Sequence, residues 1–197
     1  MNLKQLFEVQ SVLDARIDTN HPVQDGEDRL EKKHAALLVE LGEMFNEHRG
    51  FKFWSTDQTP NNNKYCTNCG GTGYKPCIRN MHNFNIIEEK SKECNLCHGK
   101  GYRDYLLEEL VDCLHFILSI GLELEMDHFV VAPFTHDKRE VEYTFIQLMQ
   151  MDWTGDYETG FDLFLGLCKL LGYTGEQIEQ AYFEKNEINH TRQEQGY

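Results

Sequence analysis

The segment DYLLEELVDCLHFILSIGLELEM (104–126) is apolar around almost its whole circumference, which is the pattern of a helix at the centre of a fold rather than on its surface. Its polar interruptions are few. Glu108, Asp112, His115 and Ser119 share one narrow arc, and Glu109 lies at the edge of that arc. A carboxylate buried without a partner is costly, so acidic residues in such a helix need a cation or strong hydrogen bonds.

Outward from this helix the chain reads as further helices. Segment 27–49 has Leu30, Leu37, Leu38, Leu41, Met44 and Phe45 on one side, and Glu40, Glu43 and Glu47 together on an adjoining arc. Helical spacing also marks 3–17, 138–151 and 156–172, and Thr174 is expected to cap a last helix, 175–192. No convincing period-two strand appears outside a cysteine-rich stretch. The expected fold class is all-α, a helical bundle with a small zinc-binding insertion.

Glu40/Glu43 and Glu109/Asp112 are each spaced three apart, so each pair projects from one helix face. Two packed helices would then offer four carboxylates, an all-oxygen set suited to Mg²⁺ that also takes phosphate oxygens as ligands. A solvated acidic face is the plain alternative for either pair. Asp112 resists it, because LVDCLHFILSIG leaves no evident solvent side. In the last helix, Lys185, Asn189 and Arg192 form a basic and polar stripe suited to outer phosphates. The alternative there is a solvated helix end whose cations complement the dipole.

Cys66-Thr-Asn-Cys69-Gly-Gly-Thr-Gly-Tyr74 and Cys94-Asn-Leu-Cys97-His-Gly-Lys-Gly-Tyr102 are two copies of CxxCxGxGY. Paired knuckles of this kind read as a tetrahedral Zn²⁺ site with Cys66, Cys69, Cys94 and Cys97 as ligands. Redox disulfides or free thiols are the alternatives, and Cys77, His82 and His98 are spare donors. The repeat resembles the zinc-binding motif of DnaJ-type chaperones over these short stretches alone. Cys113 and Cys168 sit in apolar helical patterns and are expected in the core.

VELGE (39–43), FKFWS (51–55), EELVDCLHFILSIG (108–121) and YFEKNEINHTRQEQGY (182–197) together resemble the dimeric dUTPases, all-α nucleoside triphosphate pyrophosphatases related to MazG. The resemblance implies that Glu40, Glu43, Glu109 and Asp112 bind Mg²⁺, and that dUTP, with dUDP as a second substrate, is hydrolysed to dUMP. It nominates Glu43, and less strongly Glu47, to orient or deprotonate the attacking water. For substrate it nominates Gln10, Lys52, Trp54 and His115 toward the nucleoside. Lys185, Asn186, Asn189, Arg192 and Tyr197 fall on its phosphate- and sugar-contacting motif. Gln10 could equally be a surface amide, Trp54 a core aromatic and His115 a satisfied buried histidine. The implied partner is a second copy of the chain, in a homodimer. The expected organisation is a helical catalytic domain, 1–54 and 103–197, interrupted by a zinc module, 55–102. That module departs from the family pattern, which joins the two metal helices by a shorter link.

The 197 residues carry a formal net charge of −14, which argues against wrapping duplex DNA, though a nucleotide can be met locally by metal ions and a few cations. No apolar run of transmembrane length occurs, and MNLKQLFEVQ is charged where a signal peptide would be hydrophobic, so no membrane partner and a cytoplasmic location are expected. Two other functions fit parts of the pattern. One is a MazG-like pyrophosphatase for another nucleotide such as dCTP; the other is a zinc-knuckle regulatory protein with an inactive nucleotide site.

Overall fold

The computed structural model describes residues 1–75, 92–133 and 141–196. The described residues form six helices, α1 (Leu3–Asn20), α2 (Arg29–His48), α3 (Tyr105–Glu123), α4 (Val141–Met149), α5 (Tyr157–Leu170) and α6 (Gly175–Glu194), with two short strands between α2 and α3. The strands, β1 (Lys64–Tyr65) and β2 (Tyr102–Arg103), pair antiparallel and flank the cysteine-rich stretch. The all-α expectation is borne out. The last of the expected helices closes as anticipated at its start: Thr174 and Gln177 make a reciprocal capping box. The expected helix 138–151 begins outside the described residues.

α3 is the axis of the fold. Leu106, Leu110, Cys113, Leu114, Ile117, Leu118 and Ile120 are all buried on it, and it packs on α2 most extensively, then on α1 and α6. Asp104 caps its start by accepting a hydrogen bond from the Leu107 amide. Cys113 and Cys168 are buried core residues, as their setting in the sequence implied. α5 closes the far side, where Trp153, Phe161 and Phe164 are fully buried. One cluster of apolar side chains runs through all six helices, and the four cysteines of the insert form a second, separate one.

Because α2 and α3 lie side by side, the acidic arc of one faces the acidic arc of the other. That arrangement creates the site.

Candidate active site

Glu40 and Glu43 approach from α2 and Glu109 from α3, and one carboxylate oxygen of each lies within 4.8 Å of the other two. Glu40 and Glu109 are half-buried; Glu43 is exposed. Burial, followed by the charges of Asp112 and Glu43, pushes the Glu40 carboxyl up to about 7. Burial and the same acidic neighbours push Glu109 to about 7 as well. Carboxyls that resist ionising together are poised to accept a cation in place of a proton. The donor set, oxygen throughout, fits Mg²⁺.

Asp112, one turn beyond Glu109, is not within that group of three. Its carboxylate is held by the ammonium of Lys185 on α6. Burial raises the proton affinity of Asp112, while Lys185 and Arg192 pull it back. The basic stripe of α6 therefore reaches the acidic site within one chain. Glu47 also lies outside the group: Asn61 Nδ2 donates to its Oε2 at 2.7 Å.

The crowded carboxyls have a consequence for stability. Between the ordinary glutamate value of 4.5 and about 7, the folded protein binds more protons at Glu40 and Glu109 than the unfolded chain does. The contribution of this pair to stability is thus lost as pH rises through that window. Mg²⁺ competes with those protons, so it should raise the melting temperature more at pH 8 than at pH 5.5. A magnesium-induced shift of equal size at both pH values would contradict the site.

Residues 2–68 and 98–197 match a family described as dUTPase. The chain belongs to this all-α dUTPase family. Among curated proteins, none matches the chain. Membership makes it an enzyme of the dUTP diphosphatase type, with a nucleotide as substrate. The match leaves out only 69–97 in the interior of the chain, so the family sequence resumes on both sides of the insert. No helix among the described residues is long and apolar enough to cross a membrane.

The family residues expected at the nucleoside divide into two groups. Gln10 and His115 are buried, at 3% and 6% exposure, in one hydrogen-bonded network. Asp14 Oδ1 accepts from Gln10 Nε2 at 2.6 Å, which fixes the orientation of the amide. Gln10 Oε1 accepts from the Tyr182 hydroxyl at 2.6 Å and lies 2.8 Å from His115 Nδ1. An amide oxygen can only accept, so Nδ1 carries the hydrogen. Burial drives the His115 pKa down to about 3, so the ring is neutral and Nε2 is a bare acceptor. That atom is buried without a partner, whereas Nδ2 of Asn186, also buried, faces the Tyr182 hydroxyl and eases its ionisation. Both residues adjoin Tyr182: His115 stacks on its ring at 4.3 Å, and Asn186 follows one turn later on α6. Asp14 and Tyr182 escaped the sequence reading. The available signal was Asp14 one turn after Gln10 on the same face of α1.

Lys52 and Trp54 lie on the loop after α2. Trp54 is 66% exposed rather than a core aromatic, and it meets Phe51 and Phe53 edge-on. Lys52 Nζ donates to Asn46 Oδ1 at 2.6 Å. Asn189 accepts from Arg192 Nη1 at 3.4 Å, keeping the stripe together. Tyr197 lies outside the described residues.

In the insert, the Sγ atoms of Cys66 and Cys94 are 3.8 Å apart and those of Cys69 and Cys97 are 3.7 Å apart. A tetrahedron with Zn–S bonds of about 2.3 Å has edges of about 3.8 Å. The sulfurs already receive hydrogen bonds: Gly73 N–H to Cys69 and Gly101 N–H to Cys97, at 3.3 and 3.2 Å, and Asn68 Nδ2 to Cys94 at 3.2 Å. Burial pushes the Cys94 thiol up, but Asn68 and the amides of Cys97 and Leu96 outweigh it and hold the group at about 6. Burial and the neighbouring sulfurs push Cys97 up to about 11. Four sulfurs this close cannot all ionise unless a cation joins them. The glycine repeat has a steric reason. A Cβ on Gly73 would sit 2.3 Å from the Gly99 oxygen, and one on Gly101 would sit 2.4 Å from the Gly71 oxygen. The spare donors Cys77 and His82 lie outside the described residues.

Proposed function

We propose that the chain hydrolyses dUTP to dUMP and pyrophosphate, and dUDP to dUMP and phosphate, with Mg²⁺ held by Glu40, Glu43, Glu109 and Asp112. The convergence of three carboxylates from α2 and α3 is the observation that carries this reading. When bound, Mg²⁺ supplies charge neutralisation of the phosphates and a template for in-line attack by water. Glu43, the most exposed of the three, orients that water and takes its proton. Lys185 and Arg192 meet phosphate oxygens from α6, with Asn189 beside them. Lys185 would do so from its place against Asp112, whose carboxylate would then be free to help hold the metal.

The base is read by the buried network. His115 Nε2 requires a hydrogen-bond donor, and Asn186 Nδ2 can turn from the Tyr182 hydroxyl to an acceptor on the base. Uracil offers both on one edge, in N3–H and a carbonyl oxygen; cytosine presents an acceptor at N3 and fails the first requirement. Both protein atoms are sealed from solvent, so the side chains over them must move aside as the base arrives. Trp54 and Lys52 close the nucleoside from the loop after α2, and the family motif adds Tyr197 to the substrate contacts. Leaving a buried polar atom unpaired costs about 1–3 kcal/mol, so dCTP should react roughly 10–100-fold more slowly than dUTP. Pyrophosphate release from dUTP, dCTP, dTTP and UTP with and without Mg²⁺ checks this. Equal rates for dUTP and dCTP would remove the base assignment; no release from any nucleotide would make the chain a binding module.

The catalytic domain comprises 1–54 and 103–197, and 55–102 is a module folded around structural Zn²⁺ on Cys66, Cys69, Cys94 and Cys97. The active species is a cytoplasmic homodimer. The large exposed apolar side chains Phe53, Trp54, Tyr143 and Ile146 support an interface at that end of the molecule.

A further inference from the structure

The insert poses a physical problem: it separates two helices whose carboxylates must meet to within a few ångströms. Closing a longer loop costs little extra entropy, since each doubling adds only about 0.6 kcal/mol. What a long insert removes is precision. The structure restores it at the neck of the insert, through Asn61.

Asn61 bonds to both metal-bearing helices at once. Its main-chain N–H donates to the Glu47 carbonyl at 2.9 Å, and its side-chain Nδ2 donates to Glu47 Oε2 at 2.7 Å. Its own carbonyl accepts from the amides of Tyr105 and Leu106 at 3.0 and 3.4 Å. Those two amides belong to the first turn of α3, where donors have no partner within the helix. Glu47 lies one turn beyond Glu43 on α2, and Tyr105 lies one turn before Glu109 on α3. The clip therefore sits about 6 Å along each helix axis from the carboxylates it spaces. β1 and β2 pair just beyond it, and Cys66 N–H donates to the Gly101 carbonyl at 2.8 Å, so the neck is fastened before the knuckle begins.

We propose that Asn61 is a positioning residue for the metal site and that Glu47 is its anchor, the two together setting the spacing between Glu40/Glu43 and Glu109. The role rests on the metal reading given above, but it assigns Glu47 to geometry, not to proton transfer. Glu47 Oε1 is also engaged, accepting from Asn46 Nδ2 at 3.3 Å.

The test is Mn²⁺ titration followed by electron paramagnetic resonance, without nucleotide, alongside Mg²⁺-dependent dUTP turnover. Asn61→Ala and Glu47→Ala should each weaken Mn²⁺ binding about tenfold, as loss of a residue that orients ligands does. The double variant should be no worse than either single one, because both remove the same link. Glu47→Gln keeps an oxygen that can accept from Asn61 and should bind Mn²⁺ within about threefold of the parent, which a catalytic carboxylate would also do. Turnover separates the two roles, since loss of a general base costs about 10²–10⁴-fold. Unaltered Mn²⁺ affinity in both alanine variants would overturn the proposal, and so would a Glu47→Gln protein that binds Mn²⁺ normally but loses turnover by 10²-fold or more. Should the parent bind no Mn²⁺ at all, the metal reading itself fails, a result distinct from either.

Discussion

Glu109→Gln should lower Mg²⁺-dependent dUTP turnover by on the order of 10³-fold while leaving the metal-free protein at least as stable as the parent. The two effects have one cause. Glu109 is half-buried, and that burial, followed by the charges of Asp112, Glu43 and Glu40, holds its carboxyl up at about 7. Removing that charge relieves repulsion in the metal-free fold. It also replaces one of three carboxylates, in a cluster whose members lie within 4.8 Å of one another, by a neutral amide that binds Mg²⁺ far more weakly. Transition-state stabilisation by a divalent ion amounts to several kcal/mol, and each 1.36 kcal/mol is about tenfold in rate. Turnover from steady-state pyrophosphate release, and melting temperature in chelator at pH 8, measure the two halves separately. A variant that loses turnover and also melts well below the parent would mean that Glu109 serves structure, not metal.

Cys94→Ser should abolish stoichiometric zinc and release the knuckle while the helices persist. Among the described residues of the insert the four cysteines are the only buried apolar cluster, separate from the helical core, so little beyond the Tyr65–Tyr102 contact would hold the knuckle without metal. Zinc contributes on the order of 10 kcal/mol to the folding of comparable small modules, far more than two strands of two residues can replace. Elemental analysis should fall from one zinc per chain to background. Amide exchange around Gly73 and Gly101 should lose protection, because their N–H groups are bonded to Cys69 and Cys97 sulfur. Protection that survives complete chelation would show that the knuckle stands on something other than metal.

Much of this architecture is written locally. The unbroken apolar surface of α3 and the caps at Asp104 and Thr174 depend on neighbours within a few residues, and each can be read from spacing. Glu40, Glu43 and Glu109 were legible for the same reason: carboxylates amid core positions stand out against periodicity. Asp112 was legible as an anomaly, but not its ion pair with Lys185, which joins residues on two helices. Asn61 carried no signal at all. It lies in a run of asparagines, and its bonds to Tyr105 and Leu106 exist only because the chain returns past it after the insert. Gln10, His115 and Tyr182 show the same limit. Their hydrogen bonds cross between α1, α3 and α6, and pattern alone could not separate a surface amide from a buried one. Trp54 is the reverse case: a core aromatic was the alternative to its place at the nucleoside, and it stands largely in solvent.

The central claim is that α2 and α3 hold a divalent ion between them. Crystals grown with Mn²⁺ and a non-hydrolysable dUTP analogue test it directly, because manganese scatters anomalously and its position can be read without reference to the protein. An anomalous peak bounded by Glu40, Glu43 and Glu109, with analogue phosphate on its open side, is the predicted result. A peak confined to other sites, or phosphates bound with no ion at these three carboxylates, would contradict the account.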